Sequence, residues 1–194
     1  MIAPAAITLG VLAGGEGARF GGADKAWLDD GGRPAIERCL AQFPQVFAAR
    51  RLSARAPDAR HAALGLEAVF DREPGFRGPV AGLAALARAC ATPWLLTVPV
   101  DMRGIPEDLP RHLAAAADGA PAAGGACAVD AGGLQPLLAL WRATALAEAA
   151  DAALVAGDAS ARALVDALCL ARVSIAPIRL RNLNTPADLH EARR

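Results

Sequence analysis

A short apolar run at residues 7–13 breaks directly into Gly14-Gly15-Glu16-Gly17-Ala18-Arg19-Phe20-Gly21-Gly22-Ala23-Asp24-Lys25. No other feature constrains the chain's fold as much. The apolar run reads as a buried strand and the segment after it as a loop. Glycines let backbone N–H groups approach an anion without side-chain obstruction, and successive amides form a nest for phosphate oxygens. Arg19 can grip a phosphate with two parallel hydrogen bonds, and Lys25 can place a point charge on it. By composition alone, a surface loop with two solvated cations is the alternative.

Two familiar phosphate loops do not fit. A P-loop needs a glycine directly before its lysine, and none precedes Lys25. In a dinucleotide fingerprint Gly15 and Gly17 match, but the third glycine position is Phe20. Arg50 and Arg51, placed after an expected second strand at residues 45–49, keep an NADP-binding oxidoreductase open as a reading of another class.

Beyond the loop, helical and strand patterns alternate at short spacing. Helices are expected at 34–43, 82–91, 107–117, 144–156, 160–168 and 186–192. Further strands are expected at 67–70, 94–98, 122–129, 135–141 and 173–178, while 53–65 is ambiguous. This order predicts one α/β domain spanning 1–194, a three-layer α/β/α unit around a mostly parallel, Rossmann-like sheet. Ligands of such sheets bind beyond the carboxyl ends of the strands. The loop after Ala13, Asp71 after the third strand and Asp101 after the fourth all fall at such ends.

Bulk properties narrow the function classes. The 194 residues are 54% hydrophobic and 21% charged, a folded composition. Twenty basic residues balance twenty acidic ones, which disfavours nucleic-acid binding. The cysteines at 39, 90, 127 and 169 never form CxxC, so they are expected to be reduced and mostly small core residues rather than zinc ligands. The histidines at 61, 112 and 190 show no ligand spacing. No apolar run approaches ~20 residues and no signal-peptide pattern opens the chain, so it is expected to be soluble and cytoplasmic, with no membrane partner.

Five motifs, in order along nearly the whole chain, carry a resemblance. They are Leu12-Ala-Gly-Gly with Arg19-Phe-Gly-Gly and Asp24-Lys25; Gly78-Pro-Val-Ala-Gly82; Val98-Pro-Val-Asp101-Met102; Gln135-Pro-Leu-Leu-Ala-Leu-Trp141; and Asn182-Leu-Asn184-Thr-Pro186. Together they resemble the molybdenum cofactor guanylyltransferases, members of a larger group of sugar-nucleotide pyrophosphorylases and related transferases. The resemblance implies a nucleotide-diphospho-sugar transferase type of fold and Mg²⁺-dependent transfer of GMP from GTP to the terminal phosphate of molybdopterin, releasing pyrophosphate. It implies that Asp101 ligates Mg²⁺ and that Lys25, with Arg19, stabilises the phosphates. Leu12, Ala13, Gly14, Gly15, Asp71, Gly78, Pro79 and Gly82 would line the nucleotide, and Gln135, Asn182 and Asn184 would face the acceptor. Protein partners would be molybdoenzymes or cofactor-insertion proteins.

The chain departs from the family pattern in three places. Glu16-Gly17-Ala18 stands where the family carries serine or threonine. Ser53-Ala54-Arg55 lacks the asparagine of a SANR segment, and Arg103-Gly104 replaces the proline expected after Met102. A relative that uses CTP or another phosphate acceptor, or an inactive one, is the near alternative.

Overall fold

The computed structural model describes residues 1–13, 24–70, 78–158 and 160–182. Its strands are β1 (Ile7–Leu12), β2 (Ala49–Ser53), β3 (Glu67–Val69), β4 (Trp94–Pro99), β5 (Met102–Arg103), β6 (Gly125–Asp130), β7 (Gly133–Arg142), β8 (Ala171–Ser174) and β9 (Arg181–Asn182). The helices are α1 (Ala35–Ala41), α2 (Ala59–Ala63), α3 (Gly78–Ala89), α4 (Leu109–Gly119), α5 (Ala143–Ala156) and α6 (Ala161–Ala167). Seven strands form one sheet in the order β3-β2-β1-β4-β7-β6-β8, and β5 pairs with β9 separately. Within the large sheet only β7 runs antiparallel to its neighbours.

Period-two alternation explains why helices cover both faces. Along β4, Trp94, Leu96 and Val98 point into one apolar cluster and Leu95 into another. Along β7, Leu138 and Leu140 join the first, while Ala139 and Trp141 join the second. A strand apolar on both faces must be buried on both. Residues of α1 and α4 complete the first cluster, and residues of α3, α5 and α6 the second. The expected mostly parallel α/β/α architecture is therefore present.

The buried Trp141 indole keeps its hydrogen bond, donating to Thr97 Oγ1 at 2.9 Å. That hydroxyl donates in turn to the Leu137 carbonyl at 2.9 Å. A core aromatic with a polar edge is thus fully satisfied.

Several boundaries differ from the sequence expectation. The second strand is Ala49–Ser53, not 45–49. Residues 44–48 are a connection in which Val46 is exposed and Gln45 donates to the Glu107 carbonyl. Strand β2 tolerates its arginines because Arg51 pairs with Glu67 of β3 at 2.9 Å. Arg50 and Arg51 therefore lie within a strand rather than beyond its carboxyl end, which removes the placement on which an NADP site depended.

Helix α3 begins one turn earlier than expected, with Pro79 in its first turn, where proline costs no hydrogen bond. Helix α4 is displaced by two residues for a similar reason, with Pro110 near its start. The ambiguous stretch contains the short α2, capped by Asp58 accepting from the Arg60 amide. Strand β8 ends at Ser174 instead of continuing to 178. The expected helix at 186–192 lies outside the described residues.

Candidate active site

Strands β1, β4 and β6 share one direction, so their carboxyl ends meet on one edge of the sheet. Register brings Leu12 beside Pro99 on one side and Ser53 on the other. Beyond the ladder, the Val100 amide donates to the Leu12 carbonyl and the Ala13 amide to the Ser53 carbonyl. The backbone at the start of the glycine-rich segment is thereby tied to the turn that carries Asp101.

Lys25 returns to this edge on a single 3-10 turn, Lys25–Trp27. Asp24 caps the turn by accepting from the Ala26 amide at 2.9 Å. The Lys25 ammonium donates to Asp101 Oδ2 at 3.1 Å, with side-chain exposures of 25% and 16%. The two residues are 76 positions apart in sequence. Together with Leu12, Ala13, Pro79, Pro99, Val100 and Leu137 they line a cleft of about 130 Å³.

Other sequence candidates are placed around this cleft. Gly78 opens α3 with φ +69°, a left-handed conformation that glycine adopts without strain. Gly82, one turn further on, is buried against Ser53 Oγ and Leu12 Cδ2, so it serves helix–sheet contact rather than the cleft wall. Asn182 pairs in register with Met102, next to Asp101. Gln135 lies in the β6–β7 hairpin, where its side chain helps to lower the pKa of Asp130. Gly14, Gly15, Arg19, Asp71 and Asn184 lie outside the described residues.

Asp130 organises the flank of the same edge. Its carboxylate accepts from the Gly132 amide and from the Leu180 amide, each at 2.8 Å. Burial by itself raises its pKa, but the Leu180 amide, the Gln135 side chain and the amides of Gly132 and Gly133 outweigh this and hold it below the ordinary carboxylate value.

Sequence reasoning passed over the groups that support the Asp101 turn. Arg103 donates from Nε to Asp30 Oδ2 at 2.7 Å and from the other two guanidinium nitrogens to the carbonyls of Val100, Met102 and Ala35. Gln42 donates to the Met102 carbonyl at 3.0 Å and accepts from the Ile105 amide at 3.1 Å. Only the unusual arginine after Met102 signalled this arrangement, because its partners are 73 and 68 residues distant.

His61, given no role from sequence, is buried and stacks on Trp27 with ring centroids 5.6 Å apart. The Arg60 guanidinium lies 3.9 Å from the centre of the Trp27 ring. This packing holds the residues just after Lys25 against α2.

A metal could be held here by one carboxylate, that of Asp101. Among the described residues no cluster of three or more His, Cys, Asp or Glu side chains forms a cage. Such a donor set suits Mg²⁺, which keeps several waters and is commonly bound by one or two carboxylates together with substrate phosphates.

Comparison with known proteins decides the family. The MobA-like NTP transferase domain matches residues 9–173. This chain belongs to that family. It is 38% identical over 188 residues to the molybdenum cofactor guanylyltransferase of Cereibacter sphaeroides, covering 94% of this chain and 93% of that one. The molybdenum cofactor guanylyltransferase of Polynucleobacter asymbioticus is 36% identical over 121 residues, 62% of this chain and 61% of that one.

Among solved structures, molybdopterin-guanine dinucleotide biosynthesis protein A from Archaeoglobus fulgidus superposes with a TM-score of 0.72 at 23% identity, covering 96% of each chain. The 2-C-methyl-D-erythritol 4-phosphate cytidylyltransferase of Thermus thermophilus gives 0.63 at 21% identity, over 95% of this chain and 96% of that one. Both share the fold. This MobA-like chain is a nucleotidyltransferase with the nucleotide-diphospho-sugar transferase architecture. Among its described residues no helix is long and apolar enough to cross a membrane.

Proposed function

We propose that this enzyme transfers GMP from GTP to the terminal phosphate of molybdopterin and releases pyrophosphate, with Mg²⁺ required. The observation that carries the reading is the Lys25–Asp101 contact at 3.1 Å on the ligand-binding edge. The 38% identity to a molybdenum cofactor guanylyltransferase supports the choice of substrates.

A terminal phosphate oxygen of the acceptor forms a bond to the α-phosphorus of GTP as the bond to the β-phosphate bridging oxygen breaks. Catalysis then rests on in-line alignment and neutralisation of charge. Bound Mg²⁺ supplies charge neutralisation on the triphosphate, and Asp101 is the residue that holds it. Lys25, the partner of Asp101 in the cleft, directs its ammonium to the phosphates. Leu12, Ala13 and Pro79 bound the nucleotide side, to which the family pattern also assigns Gly14, Gly15, Arg19, Asp71 and Gly78. Asn182, beside Met102, serves the acceptor side, to which the family pattern also assigns Gln135 and Asn184. Molybdoenzymes or cofactor-insertion proteins are the recipients of the product.

The deciding experiment combines the purified enzyme with molybdopterin, Mg²⁺ and either GTP, CTP or ATP, and follows pyrophosphate release and the dinucleotide by mass spectrometry. Guanylyl product with GTP, and at least about tenfold tighter binding of GTP than of CTP, is the expected result; this ratio corresponds to ~1.4 kcal/mol. Equal use of CTP sinks the guanine assignment.

A further inference from the structure

We propose that Arg103 is a positioning residue that fixes the Asp101 carboxylate for metal binding and couples it to the Lys25 segment. The inference rests on the reading of Lys25 and Asp101 as the triphosphate-binding pair. Its own observation is the distribution of the guanidinium's hydrogen bonds. One terminal nitrogen donates to the carbonyls of Val100 and Met102, the two residues flanking Asp101, both at 2.8 Å. The peptide that enters Asp101 and the one that leaves Met102 are thereby held by one group.

The other two nitrogens reach across to the chain that follows Lys25. Nε donates to Asp30 Oδ2 at 2.7 Å, and the second terminal nitrogen donates to the Ala35 carbonyl at 3.0 Å, at the first residue of α1. Asp30 sits in the loop that joins the Lys25 turn to α1, closed by the Asp29–Pro34 bridge. Arg103 is therefore a strut between the two stretches of chain that bring Lys25 and Asp101 together.

Its side chain is 17% exposed and that of Asp30 4%. Solvent screens the pair little, so losing Arg103 leaves the buried Asp30 carboxylate dependent on its longer ion pair with Arg38 Nε at 3.8 Å. Two further side chains brace the same strut. Arg38 donates to the backbone carbonyls of Asp30 and Gly31, and Gln42 holds the Met102 carbonyl. None of these side chains lines the cleft, so the effect passes through backbone geometry.

The chemistry requires arginine in particular. A lysine carries three donors on one atom and cannot span four acceptors on two segments, whereas the planar guanidinium presents five donors in fixed directions. Proline, the family's usual residue here, would rigidify the turn by another route and could not form this bridge. Groups that orient a metal ligand typically change metal affinity ~10–100-fold when removed.

The test is Mn²⁺ binding in the presence of GTP, read by electron paramagnetic resonance, on wild-type protein and on Arg103→Met, Arg103→Lys and Asp30→Asn. Arg103→Met is expected to weaken Mn²⁺ affinity at least about tenfold and to raise the Mg²⁺ half-saturation of transfer in parallel. KM for the acceptor is expected to stay within about twofold. Arg103→Lys and Asp30→Asn, which keep part of the bridge, are expected to fall between wild type and Arg103→Met.

A folded Arg103→Met protein with wild-type Mn²⁺ affinity overturns the proposal, even if its melting temperature falls. Should that variant fail to fold, wild-type Mn²⁺ affinity in both milder variants overturns it. A wild-type protein that binds Mn²⁺ with CTP but not with GTP defeats the guanylyl reading instead and leaves the Arg103 comparison readable with CTP. Wild-type protein that binds no Mn²⁺ with either nucleotide defeats both.

Discussion

Lys25 and Asp101 are polar neighbours in a cleft whose other walls are mainly apolar, and their side chains answer to one another over 3.1 Å. Replacing Asp101 by Asn keeps the shape but removes the charge a metal needs. Asp101→Asn is therefore expected to abolish Mg²⁺-dependent transfer while circular dichroism stays native; wild-type rates would refute the assignment. Losing one preorganised charge contact to the reacting phosphates typically costs ~10²–10³ in rate. Lys25→Ala is expected to lose at least about tenfold in kcat with its thermal midpoint unchanged.

Asp130 makes a different prediction at this scale, because it supports structure rather than chemistry. Asn in its place points an amide at N–H donors and leaves at least one unpaired, at a cost of ~1–3 kcal/mol. The folded pKa lies below the ordinary value of ~3.9, so the carboxylate's stabilisation is fully present above that pH and is lost as pH falls through the depressed folded value. Urea titrations should show wild type well above Asp130→Asn at pH 7 and the gap closing below pH ~4. A gap independent of pH would show that the charge of Asp130 contributes nothing.

Elements decide whether those residues meet, and helix α3 is the clearest example. A Cβ on Gly82 would come within 2.9 Å of Ser53 Oγ and 3.1 Å of Leu12 Cδ2. Overpacking of this kind costs ~1–3 kcal/mol, whereas alanine returns at most ~1 kcal/mol through helix propensity. Gly82→Ala is expected to be net destabilising by about 1 kcal/mol, lowering the melting temperature by ~2–4 °C. A rise would mean that Ser53 rotates away at little cost.

Gly82 also illustrates what sequence can and cannot convey. Its glycine motif was legible, but the motif's glycines divide between a backbone turn at Gly78 and helix packing at Gly82. The short apolar runs at 94–98 and 135–141 read as strands from sequence, because such a run keeps its character whatever packs beside it. The second strand was misread because its Arg50-Arg51 looks like a loop until Glu67 is brought alongside Arg51 by the adjacent strand. The Arg103–Asp30 bridge had no local trace beyond a missing proline, since 73 residues separate its ends.

At the scale of the whole molecule, the sheet lies between two apolar layers, and two cysteines report on them separately. Cys39 is buried in the layer of α1 and α4, and Cys127 faces the layer of α3, α5 and α6. Burial raises the Cys39 thiol to about 12, despite the opposing charge of Arg103, with Asp101 adding to the rise. Burial likewise raises Cys127 to about 11, against Arg172 and with Asp166. Because the thiolate is the reactive form, neither should be alkylated in the native protein, whereas exposed Cys169 should react at once. In a Cys90→Ser/Cys169→Ser background, labelling of either remaining thiol therefore requires its own layer to open. Both layers share the central strands, so opening one exposes the apolar underside of the other. We infer that the chain unfolds as one domain. Pulsed alkylation across a urea series should then label Cys39 and Cys127 with one midpoint, coincident with the loss of circular dichroism. Two separate midpoints would show that the layers open independently and that residues 1–194 are not one cooperative unit.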